Sequence, residues 1–148
     1  YTFEITGSNF KLSNLLASIG CSQLKRYDKI VQNKKLIFKT YFKSLKKLPM
    51  IKLPIFHKKE KPCMWCFPII VNNTKIYNNL IKYLINKKIA FKTGFKLLYK
   101  YNHLNLSGLN KINPNVLLLP MNVNIKYNQV QKIINSIKSF LRKELKQI

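Results

Sequence analysis

Gly7-Ser8-Asn9-Phe10-Lys11-Leu12-Ser13-Asn14-Leu15-Leu16-Ala17-Ser18-Ile19-Gly20-Cys21-Ser22-Gln23-Leu24-Lys25-Arg26-Tyr27-Asp28 opens the readable part of this chain. From Leu12 the apolar residues recur at three- and four-residue steps: Leu15, Leu16, Ile19, Leu24, Tyr27, Ile30, Val31, Ile37, Tyr41, Leu45 and Leu48. That spacing predicts one long helical tract over residues 12–48, or two helices in series. Ser13 is suited to the N-cap, because its hydroxyl can accept from an unpaired first-turn N–H. Gly20 inside the pattern costs about 1 kcal/mol against alanine and points to close packing on another backbone. Pro49 ends the tract.

Downstream, Pro49, Pro54 and Pro62 with Lys58, Lys59 and Lys61 read as an exposed, extended connection. Met64 to Val71 is β-branched and aromatic enough for a strand, with Pro68 demanding an edge or a bulge. Asn72-Asn73-Thr74 is a turn able to cap a helix that puts Ile76, Leu80, Ile81, Leu84 and Ile85 on one face. Residues 89–98 read as extended and 99–114 as loop. Val116 to Leu119 is a strand stopped by Pro120, and Tyr127 to Leu145 is an amphipathic helix through Val130, Ile133, Ile134, Ile137, Phe140 and Leu141. The order is that of a small α/β layer structure, a sheet flanked by helices.

The chain has 148 residues, 28 Lys+Arg and 4 Asp+Glu, for a net charge of +24. Its 47% apolar content excludes a charged disordered tail. No apolar run nears the ~20 residues that span a bilayer, and Tyr1-Thr2-Phe3-Glu4 does not begin a secretory signal. A cytoplasmic or organelle-matrix location is expected. The charge suits a polyanion partner, yet only Arg26 and Arg142 are arginine, whose planar fork phosphate and base recognition favours. Lys, Asn and Ile share A/T-rich codons, so nucleotide bias is the competing source of the charge.

Cys63-Met64-Trp65-Cys66 matches C-x-x-C, but Cys21, His57 and His103 supply no paired spacing for a zinc site, and no metal is expected. Phosphate-binding glycine motifs and a nucleophile elbow are absent. Glu4, Asp28, Glu60 and Glu144 form no acid/base pair in sequence. No catalytic residue is expected in this chain, and His57 and His103 read as solvated.

Gly7 to Asp28, followed by Lys34-Lys35, Tyr41 and Leu45, resembles G-x-N-[YF]-R-[ML]-[ST]-x-[LI]-x-A-A-[LI]-G-x-x-Q-L-x-R-[LY]-D, then K-R, then Y-x-x-x-L, of the DegT/DnrJ/StrS family of PLP-dependent sugar aminotransferases. Trp65 to Val71, Leu80 to Ile89, and Leu117-Leu118-Leu119-Pro120 with the last helix look like that family's later segments, in order. The resemblance implies the C-terminal part of an aspartate-aminotransferase-like (fold type I) enzyme. Residues 1–48 would close the large domain and form the connecting helices; residues 49–148 would be the C-terminal small domain. The Schiff-base lysine and most PLP contacts would lie upstream of Tyr1, a start without Met that fits a fragment, and this chain alone would be inactive.

By the same resemblance, Asn9 reaches the PLP phosphate of the partner subunit in a homodimer, and Lys11 and Tyr99 stand in the sugar pocket. The substrates implied are a nucleotide-linked keto-sugar and an amino donor, for amino-sugar biosynthesis. Departures from the pattern are Lys11 for arginine, Thr93-Gly94 for T-R, Tyr99 near the place of a loop histidine, and Lys126 for the Ser/Thr cap of the last helix. The alternative is a non-catalytic basic protein bound to RNA or a ribosome, derived from such a domain.

Overall fold

The computed structural model describes residues 11–57, 59–60, 62, 65–94 and 115–146. The chain divides into two compact units, residues 1–32 and 33–148. The first holds α1 (Asn14–Leu24) and the start of α2 (Tyr27–Leu45). The tract is therefore two helices in series. The Ser13 hydroxyl accepts from the Leu16 N–H at 3.3 Å, as its residue type requires. Gly20 departs from expectation: among the described residues nothing stands within 4 Å of a Cβ placed there.

The second unit is a four-stranded antiparallel sheet in the order β1-β2-β4-β3, with β1 Ile51–Lys52, β2 Cys66–Val71, β3 Lys92–Thr93 and β4 Val116–Pro120. Helices α3 (Thr74–Asn86) and α4 (Tyr127–Leu145) complete it. Phe67, Ile69 and Val71 alternate inward on β2, in register with Leu119 and Leu117 of β4. Phe67 meets Phe38 and Tyr41 of α2 at ring-centroid separations of 4.9 and 5.1 Å. All six residues expected on the inner face of α4 are buried.

Four sequence expectations change. The connection after Pro49 contains β1, whose Ile51 is buried; two residues are too few for a period-2 pattern to register. Pro68 sits neither at a bulge nor on an outer strand. Val71 N–H bonds Asn115 C=O, so alternation turns the N side of Pro68 away from β4. There β1 has already ended, since it pairs only with Ile70 and Val71, and the missing donor costs nothing. Ile85 is exposed and Tyr77 takes a place on the buried face of α3. Pro120 is the last residue of β4 rather than the one after it.

α3 is capped by the Asn73 side chain, which accepts from Ile76 N–H at 3.1 Å. It ends in a Schellman turn. Ile89 N–H bonds Leu84 C=O and Lys88 N–H bonds Ile85 C=O, while Lys88 takes φ 54°, the left-handed conformation that glycine usually supplies. Leu84 and Ile89 are both buried, the hydrophobic contact that accompanies this turn.

Candidate functional site

Three α2 side chains hold the backbone that leaves β4. Tyr41 donates from its hydroxyl to Pro120 C=O at 3.2 Å, Lys34 from its ammonium to Met121 C=O at 2.9 Å, and Asn33 from its amide to Val123 C=O at 3.3 Å. Asn122 to Ile125 then turns, closed by Ile125 N–H on Asn122 C=O. α4 begins at Tyr127 behind Lys126. Lys126 makes no side-chain cap; its backbone N–H donates to Gln129 Oε1 at 2.8 Å, half of a capping box.

This turn, the Schellman end of α3 and the first turns of α4 enclose a cleft of about 390 Å³. Ile89, Ala90, Pro120, Ile125 and Ile133 give it an apolar floor, and Lys88, Lys132, Asn122, Asn124 and Gln129 a rim of ammonium and amide groups. A second cleft of about 200 Å³ shares Ala90, Pro120 and Asn122 with it and is walled by Trp65, Phe91 and Lys92. The described rims carry cations, amides and aromatic edges and no carboxylate. Such a donor set suits phosphate oxygens and hydroxyls. These residues come from three separate elements, and no local motif joins them in sequence.

Tyr41 and Tyr77, whose hydroxyls donate to Pro120 and Val116 carbonyls, are both pushed up from the ordinary phenol range by burial. They are structural groups, not acids or bases near neutrality. Asn115, the buried polar residue among those described, donates from its amide to Thr74 Oγ1 at 3.1 Å. No described lysine is buried. A lysine that forms a Schiff base is activated by a desolvated pocket or a neighbouring cation, and no described lysine has the first of these.

Of the residues expected at the site, Lys11 is exposed two positions before the Ser13 cap. Asn9 and Tyr99 lie outside the described residues, as do Cys63 and His103. Cys66 is a partly exposed residue of β2. His57 is exposed, its N–H donating to the Glu60 carboxylate at 3.0 Å. Among the described residues no group of three or more His, Cys, Asp or Glu could hold a metal, and no helix is long and apolar enough to cross a membrane.

Residues 1–138 match the model of the DegT/DnrJ/EryC1/StrS aminotransferase family. The chain belongs to that family. Among curated proteins it is 27% identical over 139 residues to the lipopolysaccharide biosynthesis protein RfbH of Salmonella typhimurium, covering 92% of this chain and 28% of that one. It is 28% identical over 163 residues to the GDP-perosamine synthase of Vibrio cholerae, covering 95% of this chain and 40% of that one. The chain thus spans well under half the length of both relatives. Its fold is shared with part of the aminotransferase TlmJ of Streptoalloteichus hindustanus (TM-score 0.82, 18% identity, 98% of this chain and 41% of that one). It is shared likewise with part of Helicobacter pylori PseC, an aminotransferase of pseudoaminic acid biosynthesis (TM-score 0.80, 21% identity, 96% and 41%). The α/β class expected from sequence is the class found, four helices with a small antiparallel sheet.

Proposed function

We propose that this chain is the C-terminal part of a DegT-family transaminase that moves an amino group onto a nucleotide-linked keto-sugar. The observation that carries the reading is the family match over residues 1–138, which takes in both the helix pair and the sheet domain. PLP, when bound, supplies the electron sink for the transfer. The residues of this chain bind and orient. Asn9 would donate its amide N–H₂ to the cofactor phosphate of the partner subunit in a homodimer. Lys11 and Tyr99 would stand at the sugar. Residues 1–48 would belong with the large domain and residues 49–148 with the small one. The lysine that would hold PLP covalently would lie in the part of the enzyme that this chain does not span, as the family resemblance implies.

The test is amino transfer from glutamate to a nucleotide-linked keto-sugar. The chain by itself should be inactive, and the chain joined to the complementary part of the enzyme should be active. In the joined enzyme, Asn9→Ala should raise the PLP concentration needed for half-maximal activity. An unchanged PLP requirement removes Asn9 from the cofactor site.

A further inference from the structure

The larger cleft is built on backbone that other bonds hold in place. One part is the Schellman turn closing α3, where Ile89 is buried and its N–H bonds Leu84 C=O at 3.0 Å. Another is the turn after β4, which Tyr41, Lys34 and Asn33 tether. Gln129 is fixed as well. Its Oε1 accepts from Lys126 N–H at 2.8 Å, so its NH₂ is the edge left to donate. The volume of about 390 Å³ falls in the range of small-molecule sites, roughly 300–1,000 Å³. A cleft formed beforehand spares a ligand the cost of ordering it.

Two kinds of chemistry meet in it. Ile89, Ala90, Pro120, Ile125 and Ile133 make an apolar floor. Lys88, just past α3, and Lys132 of α4 bring two ammonium groups. None of the lining residues is acidic. Two cations at one cleft repel each other, and an anion placed on both relieves that repulsion. Lys88 stands there against its own backbone, because its φ of 54° is left-handed, where lysine is strained and glycine is not. Strained positions of this kind gather at ligand sites.

We infer that this cleft binds a nucleoside monophosphate, with the base on the apolar floor and the phosphate on Lys88 and Lys132. A terminal phosphate with its second pKa near about 6 is largely dianionic at neutrality, and two ammonium groups suit it. The amides of Asn122, Asn124 and Gln129 can meet ribose hydroxyls or base edges. Inorganic phosphate would leave the floor unused, and a nucleoside would leave the lysines unpaired. A nucleotide-linked sugar has its pyrophosphate blocked at both ends and divides its charge between two phosphates, so it is the poorer fit. The ligand is therefore additional to the substrate proposed above. The lining residues carry no role in the proposed reaction, and the inference does not rest on it.

The test is equilibrium dialysis of the chain against uridine monophosphate, uridine, inorganic phosphate and UDP-glucose at about 0.15 M salt. Uridine monophosphate should bind about ten-fold or more tightly than each of the others. Lys88→Gln with Lys132→Gln should lose about ten-fold of that affinity. Lys138→Gln with Arg142→Gln removes the same charge from a part of α4 that does not line this cleft, and should lose none. Ala90→Phe should fill the floor and abolish binding. Lys88, Ala90 and Lys132 are exposed, so these changes leave the core intact. No binding of uridine monophosphate, binding as tight or tighter by any of the other three, equal losses in the two double variants, or full binding by Ala90→Phe would each overturn the inference.

Discussion

Tyr41 on α2 and Pro120 at the end of β4 are joined by a hydrogen bond of 3.2 Å from the phenol to the carbonyl. The tyrosine is fully buried and its ring stacks on Phe67 at 5.1 Å. Tyr77 does the same at the start of β4, donating to Val116 C=O at 3.2 Å. Both ends of one strand are thereby fixed to helices, and with them the turn that shapes the larger cleft.

Tyr41→Phe should keep the ring and lose the bond, leaving Pro120 C=O without that donor. The expected cost is about 1 kcal/mol of unfolding free energy, measured by denaturant titration. The wild-type pH dependence follows from burial raising both phenols in the folded state. The unfolded chain gives up these protons near the ordinary tyrosine value while the folded one keeps them. Stability from this source is therefore complete below about pH 10 and declines as pH rises beyond it. The decline should be shallower in Tyr41→Phe. Equal alkaline slopes in the two proteins would contradict the assignment.

Gly94 tests the close approach of β3 to β4. Its N–H bonds Val116 C=O at 2.8 Å, and a Cβ there would stand 2.8 Å from Val116 Cβ. Gly94→Ala should force the strands apart and cost about 1–3 kcal/mol, the range for overpacking. A thermal midpoint equal to that of the wild type would show that β3 does not hold this register. The family pattern places arginine where Gly94 stands, and the present strand spacing leaves no room for one.

Two lysines occupy positions where the backbone favours other residues. Lys126→Ser would complete the capping box begun by Gln129 and should stabilise by about 1 kcal/mol. Lys88→Gly would remove the left-handed penalty of about 1–2 kcal/mol and lose part of that gain, about 0.5–1 kcal/mol, to glycine's freedom in the unfolded chain. The net expectation is a small rise in midpoint for each, and the two should add because they sit at different helix ends. A fall in either variant would mean that the lysine makes a contact worth more than the backbone preference.

The amphipathic elements were legible because burial there follows a simple period. The inner face of α4 and the alternation of β2 needed only the spacing of Val130 to Leu141 and of Phe67 to Val71. Ser13 and Asn73 were legible as caps by residue type and position. β1 was not, because Ile51 and Lys52 pair through a register set by β2 rather than by their own pattern. The cleft was not, because Lys88, Asn122 and Lys132 are brought together only by the Schellman turn, the three α2 tethers and the start of α4. Gly20 was read as a point of close packing on another backbone, and among the described residues nothing stands within 4 Å of a Cβ placed there.

The net charge of +24 gives a separate expectation. Lys35, Lys39 and Lys43 stand on one side of α2 at four-residue steps, about 6 Å apart along the axis, and like charges so placed destabilise a helix. Screening should therefore raise the thermal midpoint between about 0.01 and 0.15 M salt, where the Debye length falls from about 30 to 8 Å. RNA binding whose affinity drops steeply over the same range would instead favour the basic, non-catalytic alternative.

Amino transfer from isotopically labelled glutamate to a nucleotide-linked keto-sugar tests the central claim most directly. It should be measured on the chain alone and on the chain co-expressed with the complementary part of a family relative, each supplied with PLP. Label should enter the sugar only with the complement present. Turnover by the chain alone, or a stable complex that transfers no label, would contradict it.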